Sequence, residues 1–202
     1  MISKIAKIAA LSLFLLPGLS RAAFVLDTGT PTGSSALIVS SSQFIAGEFS
    51  VTAGQTITQL AADLSSVSGN GNSLIIDLYS GPITGSHTQL HLVDSTTTTF
   101  NASGWTSANV NWVVPTTGNY WFAIGGNGVG TTYDAPTETS TSTGTVPALA
   151  FAFSSGSQYS NLSSGIGMQV NVSVPEPATY GTLAGAGMLA VSLGTQLRRK
   201  TA

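Results

Sequence analysis

Met168-Gln169-Val170-Asn171-Val172-Ser173-Val174 alternates apolar and polar side chains without a break. A period of two puts Met168, Val170, Val172 and Val174 on one face of a strand and the polar residues on the other. The run leads with no spacer into Pro175-Glu176-Pro177, where proline can no longer donate to a ladder. A half-buried strand that stops at a proline pair sets the expectation for the rest of the chain.

Working outward from it, the same alternation recurs. Leu74, Ile76 and Leu78 alternate with Ile75, Asp77 and Tyr79. Val110, Trp112 and Val114 form an apolar face closed by Pro115, and Tyr120, Phe122 and Ile124 follow the turn Thr116-Thr117-Gly118-Asn119. Leu149, Phe151 and Phe153 make a late strand. Ala36–Ser40, Gln43–Val51, Thr56–Leu64, Gln89–Val93 and Thr96–Phe100 read as further short strands. Gly69-Asn70-Gly71-Asn72, Gly81-Pro82 and Gly125-Gly126-Asn127-Gly128 punctuate them, as turn chemistry requires. No 3.6-residue period lies between the two ends. Residues 23–173 are therefore expected to be all-β, a jelly-roll-like β-sandwich. Tyr133–Pro147, with its run of serine and threonine, shows no face to bury and is expected to be a long exposed loop.

The two ends differ from this body. Lys4 and Lys7 precede the apolar run Ile8–Leu16, which is too short to span a bilayer, and Pro17-Gly18 breaks it. This is the pattern of a secretory signal peptide over residues 1–22. Cleavage after Ala22 sets Ser20 and Ala22 at the small-residue positions. At the other end, Ala178–Leu197 carries no charge; twenty helical residues at about 1.5 Å each match a hydrocarbon core of roughly 30 Å. Thr179, Thr182, Ser192, Thr195 and Gln196 dilute its apolarity, which suits a transient anchor. Gly181 and Gly185 form a G-x-x-x-G face on which another helix can pack. Arg198, Arg199 and Lys200 follow and are expected on the cytoplasmic side.

The order Val174-Pro175-Glu176-Pro177, apolar helix 178–197, basic tail 198–202 resembles a PEP-CTERM sorting signal. The resemblance covers residues 174–202 and implies a membrane protease-transpeptidase of the exosortase type as partner. It also implies passage through the inner membrane with transient single-pass anchoring, cutting near Pro175–Pro177, and delivery to the cell surface or extracellular matrix of an exopolysaccharide-making Gram-negative bacterium. The body is similar to other surface domains that carry interchangeable anchors, through Phe44-x4-Phe49-Ser50-Val51, Leu78-Tyr79-Ser80-Gly81 and Tyr120-Trp121-Phe122. Those domains are β-sandwiches of unassigned activity.

Composition narrows the partners. All six Lys and Arg residues lie in the two ends, so the formal net charge of −2 conceals a body with seven carboxylates and no fixed positive charge. Phosphate neutralisation needs Lys and Arg, so nucleic acid is not expected as a ligand, and anionic surfaces are disfavoured for the same reason. Neutral glycans, or acidic ones bridged by divalent cations, remain open. Cysteine is absent, which removes disulfides, zinc ribbons and thiol catalysis.

No catalytic constellation emerges. Serines are abundant but lack a G-x-S-x-G elbow, and His87 and His91 have no partner motif. On a strand those histidines lie about 13 Å apart, too far for one ion, and read as solvent-facing residues of an edge strand. Asp63, Asn70, Asn72, Asp77, Asp134 and Glu138 are the pool from which a structural calcium would draw, without an EF-hand loop among them. No metal, other cofactor or enzymatic activity is expected. Asn101, Asn161 and Asn171 sit in glycosylation sequons that read as chance in an Asn/Ser-rich chain. The threonine clusters Thr96–Thr99 and Thr137–Thr145 lack the regular array that ice recognition needs. Of the three tryptophans, Trp112 is in phase with core positions and Trp121 is out of phase with its aromatic neighbours. Trp105, in Ser103-Gly104-Trp105, is the ring left for stacking on a sugar face.

Overall fold

The computed structural model describes residues 21–68, 72–82, 85–86, 90–128, 130–138, 144–155 and 158–174. Ala22–Ser173 make up one compact unit. The described elements are all strands: β1 Arg21–Asp27, β2 Ala36–Ser40, β3 Ile45–Val51, β4 Thr56–Leu64, β5 Ser66–Ser68, β6 Ser73–Ser80, β7 Gly85–Ser86 and β8 His91–Thr99, then β9 Gly104–Val113, β10 Gly118–Gly126, β11 Thr132–Glu138, β12 Phe151–Ser155, β13 Gln158–Leu162, β14 Gly165–Ile166 and β15 Met168–Val174.

Two sheets form the sandwich. One is ordered β1-β15-β4-β9, the other β7-β13-β12-β3-β10-β6-β8. Consecutive strands change sheets at β3 to β4, β8 to β9 and β9 to β10, the crossings of an all-β sandwich. The residues that alternate in sequence line the space between the sheets. Met168, Val170 and Val172 are fully buried on β15, as are Leu74 and Ile76 on β6 and Phe122 and Ile124 on β10. Antiparallel registers hold them opposite one another, with Phe122 beside Gly47 and Leu78, and Val170 beside Leu60. Gly47 faces this core closely: a Cβ there would meet Met168 Sδ at 2.9 Å and would have to displace the methionine thioether.

The seven-stranded sheet also buries part of its outer face. Trp121, Ala123, Ala46, Ala152 and Tyr159 form a second apolar cluster there, with Phe44 and Tyr79 packed against it. This explains the two aromatic phases on β10. Tyr120 and Phe122 face the sandwich core, while Trp121 points the other way and is still only 4% exposed.

The expected loop over Tyr133–Pro147 is wrong in its first half. Thr132–Glu138 is β11, paired with β2, β5 and β14 in a third, smaller sheet. Tyr133, Ala135 and Thr137 alternate inward. A tyrosine, an alanine and a threonine interrupted by Pro136 make too weak an apolar signal to see in sequence. Packing makes up the deficit: the Tyr133 ring meets Phe100 edge-on at 5.6 Å, and its hydroxyl donates to Ser73 O at 2.9 Å. Residues 139–143 of that segment lie outside the described residues. The pairs expected over Gln89–Val93 and Thr96–Phe100 merge into the single strand β8.

Trp112 is half-buried rather than core, because β9 is the outermost strand of its sheet and its inward face is covered only partly at that end. The signal segment, the apolar stretch Ala178–Leu197 and the basic tail lie outside the described residues. Among the described residues, no helix is long and apolar enough to cross a membrane.

Candidate functional site

Both β15 and β9 run antiparallel to β4, and this fixes the two ends of the sandwich. Ser173 and Val113 both stand opposite Thr56, whereas Trp105 stands opposite Asp63. Trp105 thus lies eight strand residues from Val113, about 26 Å at roughly 3.3 Å per residue. The end from which the C-terminal strand leaves is opposite the end that carries Trp105.

At that far end the connection from β8 to β9 forms an open groove of about 530 Å³, lined by Thr97, Thr98, Thr99, Asn101, Ala102, Ser103, Trp105, Thr106 and Ser107. No lining residue is charged. Trp105 is 37% exposed, and its indole N–H donates to Thr30 Oγ1 at 3.3 Å. Thr98 Oγ1 donates to Ser107 O at 2.8 Å, which ties the edge strands of the two sheets together, and Ser103 Oγ donates to Ser65 O. An indole set among hydroxyl and amide groups is chemically suited to a neutral, hydroxyl-bearing ligand. The exposure expected for Trp105 is present. Its threonine neighbours were legible in sequence only as a cluster, since their convergence depends on two strands from different sheets.

The titratable groups do not converge in this way. Asp77 is 5% exposed and takes the hydroxyls of Ser95 at 2.6 Å and Tyr79 at 2.9 Å, a tie between β6 and β8 on the outer apolar cluster. Burial first, and the Asp77 charge second, push the Tyr79 phenol up; burial also raises Tyr159, with Tyr79 and Asp77 adding to it. Asp63 is buried at the Trp105 end, and desolvation raises its carboxyl above the ordinary value. Asp27 also sits in a buried position, and burial raises it. Hydrogen bonds from Thr145, Gln169 and Gly29 outweigh that effect and hold its carboxyl below the ordinary value. Of the calcium pool, Asn72 is exposed, Asp134 and Glu138 lie on β11, and Asn70 falls outside the described residues. Among the described residues, no three His, Asp or Glu side chains come together as a cation site. His91 is exposed on β8, the edge strand of the larger sheet, and His87 lies outside the described residues.

β15 is an interior strand, held between β1 and β4. Its last pairing to β4 is Ser173 with Thr56, and the strand ends at Val174. Pro175-Glu176-Pro177 follows at once in the sequence. Residues 173–200 match the model of the PEP-CTERM protein-sorting motif. The chain carries a PEP-CTERM sorting signal. The matched span takes in Val174, Pro175, Glu176 and Pro177, Gly181 and Gly185, and Arg198, Arg199 and Lys200. A PEP-CTERM motif implies export, a membrane-associated C-terminal signal and an exosortase as processing partner. Beyond Val174 these residues lie outside the described ones, while Ala22, the expected signal-cleavage position, is exposed on β1.

No curated protein matches the chain. In fold, the PEP-CTERM chain is similar to the cysteine protease and lectin-like domains of Cwp84, a surface layer associated protein of Clostridium difficile, with a TM-score of 0.50 and 9% identity. The match covers 70% of this chain and 36% of the neighbour, so this chain spans about a third of that protein's length. At that identity the likeness supports the β-sandwich and nothing about activity.

Proposed function

We propose that this PEP-CTERM protein is a non-enzymatic component of the cell surface or extracellular matrix, sorted by an exosortase-type protease and resident in an exopolysaccharide layer. The observation that carries this reading is the sorting motif placed directly behind an interior strand of a folded sandwich. In this reading residues 1–22 are removed after Ala22. The helix Ala178–Leu197 anchors the chain in the inner membrane through its Gly181/Gly185 face, Arg198, Arg199 and Lys200 stay cytoplasmic, and cutting near Pro175–Pro177 releases or transfers the body. The product then carries seven carboxylates and no Lys or Arg, a composition that keeps a protein dispersed among hydrated polysaccharide rather than bound to acidic surfaces. Glu176→Ala is expected to leave full-length protein in the inner-membrane fraction. Unchanged release of the variant from cells would overturn the sorting reading.

The groove at Trp105 favours a second reading, binding of neutral carbohydrate, because an exposed indole sits in an uncharged, hydroxyl-lined recess. Stacking of a sugar on a single ring supports weak affinity, of the order of 1 mM or about −4 kcal/mol. A glycan array of neutral polysaccharides is expected to show binding by the released protein and none by Trp105→Ala. Equal binding by both proteins would remove the role of the groove.

A further inference from the structure

The end of the sandwich from which β15 leaves is built from two loops, Thr52–Gln55 and Val114–Thr117, which brace each other. Gly54 N–H donates to Val114 O at 2.9 Å and Val114 N–H to Gln55 O at 2.9 Å. Ala53 N–H donates to Thr117 Oγ1 at 2.9 Å, Thr52 N–H to Gln55 Oε1 at 2.8 Å, and Tyr120 Oη–H to Thr116 O at 2.9 Å. These bonds leave a fixed surface with exposed side chains at Thr52, Ala53, Pro115, Thr116 and Thr117. Val113 adds an aliphatic side chain that is 62% exposed.

Charge separates this end from the other one. Neither loop contains a charged residue, whereas Asp27, Asp63 and Asp134 lie toward the Trp105 end. Along the backbone the nearest acidic residues, Glu48 and Asp94, stand three strand residues or more from the two loops, about 10 Å at roughly 3.3 Å per residue, and the Glu48 carboxylate is engaged by Asn119 Nδ2 at 3.2 Å.

Chain length supplies the occupant. Only Pro175-Glu176-Pro177 separates Val174 from the apolar stretch that begins at Ala178. Three residues reach at most about 11 Å even when fully extended. A protease that cuts within them therefore works within about that distance of the end of β15. We infer that the uncharged end of the folded body, formed by Thr52–Gln55 and Val113–Thr117, is a docking surface for the membrane-embedded protease that processes the C-terminal motif. The inference rests on the sorting reading above and adds a second recognition element to it: the folded end, and not the motif alone, is what the enzyme meets. A bilayer is the weaker occupant, because the body has no Lys or Arg to meet anionic lipid and Val113 offers little apolar area.

The test compares processing of the full chain in the producing bacterium, by pulse-chase and immunoblot of full-length and cut forms. Ala53→Glu and Val113→Glu, singly and together, place a carboxylate on the docking end; Ser34→Glu and Asn72→Glu place one on exposed positions away from it. The double variant at the docking end is expected to be cut at least tenfold more slowly, with both control variants cut as the native chain is. Inserting ten Gly/Ser residues between Ser173 and Val174 moves the motif clear of the loops and is expected to restore the rate in the double variant. That rescue excludes misfolding as the cause of slow cutting. Cutting of the double variant at the native rate, without the insertion, would overturn the proposal. Slow cutting that the insertion does not restore would also overturn it. A double variant that is cut normally but no longer sediments with lipid vesicles would assign this end to the bilayer instead. If the native chain itself is processed independently of Glu176, the sorting reading fails first, and that outcome is separable from failure of the docking surface.

Discussion

Asp27 shows how one side chain can hold distant parts of the chain together. Its carboxylate accepts from Thr145 Oγ1 at 2.8 Å, Thr145 N–H at 3.3 Å, Gln169 Nε2 at 3.1 Å and Gly29 N–H at 3.3 Å. Next to it, Thr28 Oγ1 donates to Ile166 O at 2.6 Å and accepts from Met168 N–H at 2.7 Å. Together they fasten the end of β1 to the start of β15. Because the folded-state pKa of Asp27 lies below the ordinary 3.8, the unfolded chain takes up the proton first as pH falls. The stabilisation is complete well above that ordinary value and is lost as pH drops through the lowered folded-state value. Asp27→Asn is expected to cost about 1 kcal/mol at neutral pH, a modest figure because the amide oxygen can still accept part of these hydrogen bonds. Urea midpoints of the two proteins should differ near pH 7 and converge as the pH falls through the lowered folded-state value of Asp27; a difference that does not shrink on acidification would show that the carboxylate charge is not what matters.

At the scale of elements, the strands read from sequence are those that need no help from partners to be seen. β15 alternates large apolar residues with polar ones, β6 and β10 carry large apolar residues at a period of two, and β2 and β4 fall on the residue ranges expected of them. β11 was missed because its buried residues are few and mixed, with Pro136 in their midst. β1, β13 and β14 were missed because their patterns are short or irregular. β11 nevertheless closes one end of the sandwich through Tyr133. Tyr133→Ala is expected to destabilise the protein by about 3–5 kcal/mol, as for other large aromatics removed from a core. Tyr133→Phe should cost about 1 kcal/mol, since only the hydrogen bond to Ser73 O is lost. Thermal or urea unfolding of both variants checks this; a cost for Tyr133→Ala below about 1 kcal/mol would mean that β11 is peripheral.

For the whole molecule, the decisive fact is that the C-terminal strand is interior to its sheet. β15 lies between β1 and β4, so the four-stranded sheet cannot close until the chain has been supplied as far as Val174. A chain ending at Gly167 is expected to be unfolded, with rapid digestion by added protease and loss of the β-sheet circular dichroism signal. A protease-resistant truncated chain would show that β1 and β4 close on each other without it. The same arrangement ends β15 at one end of the body and sets the Trp105 groove at the other. The sequence by itself determined the sorting signal, the all-β class and the absence of basic charge from the body, because each is written in local order: a motif, a period of two, a composition. Tertiary structure alone decided that β11 is a strand, that Trp121 is buried on a second face, and that Trp105 shares a groove with the threonines of β8. Those outcomes depend on contacts between residues far apart in the chain, and no local pattern encodes which distant strand will lie alongside.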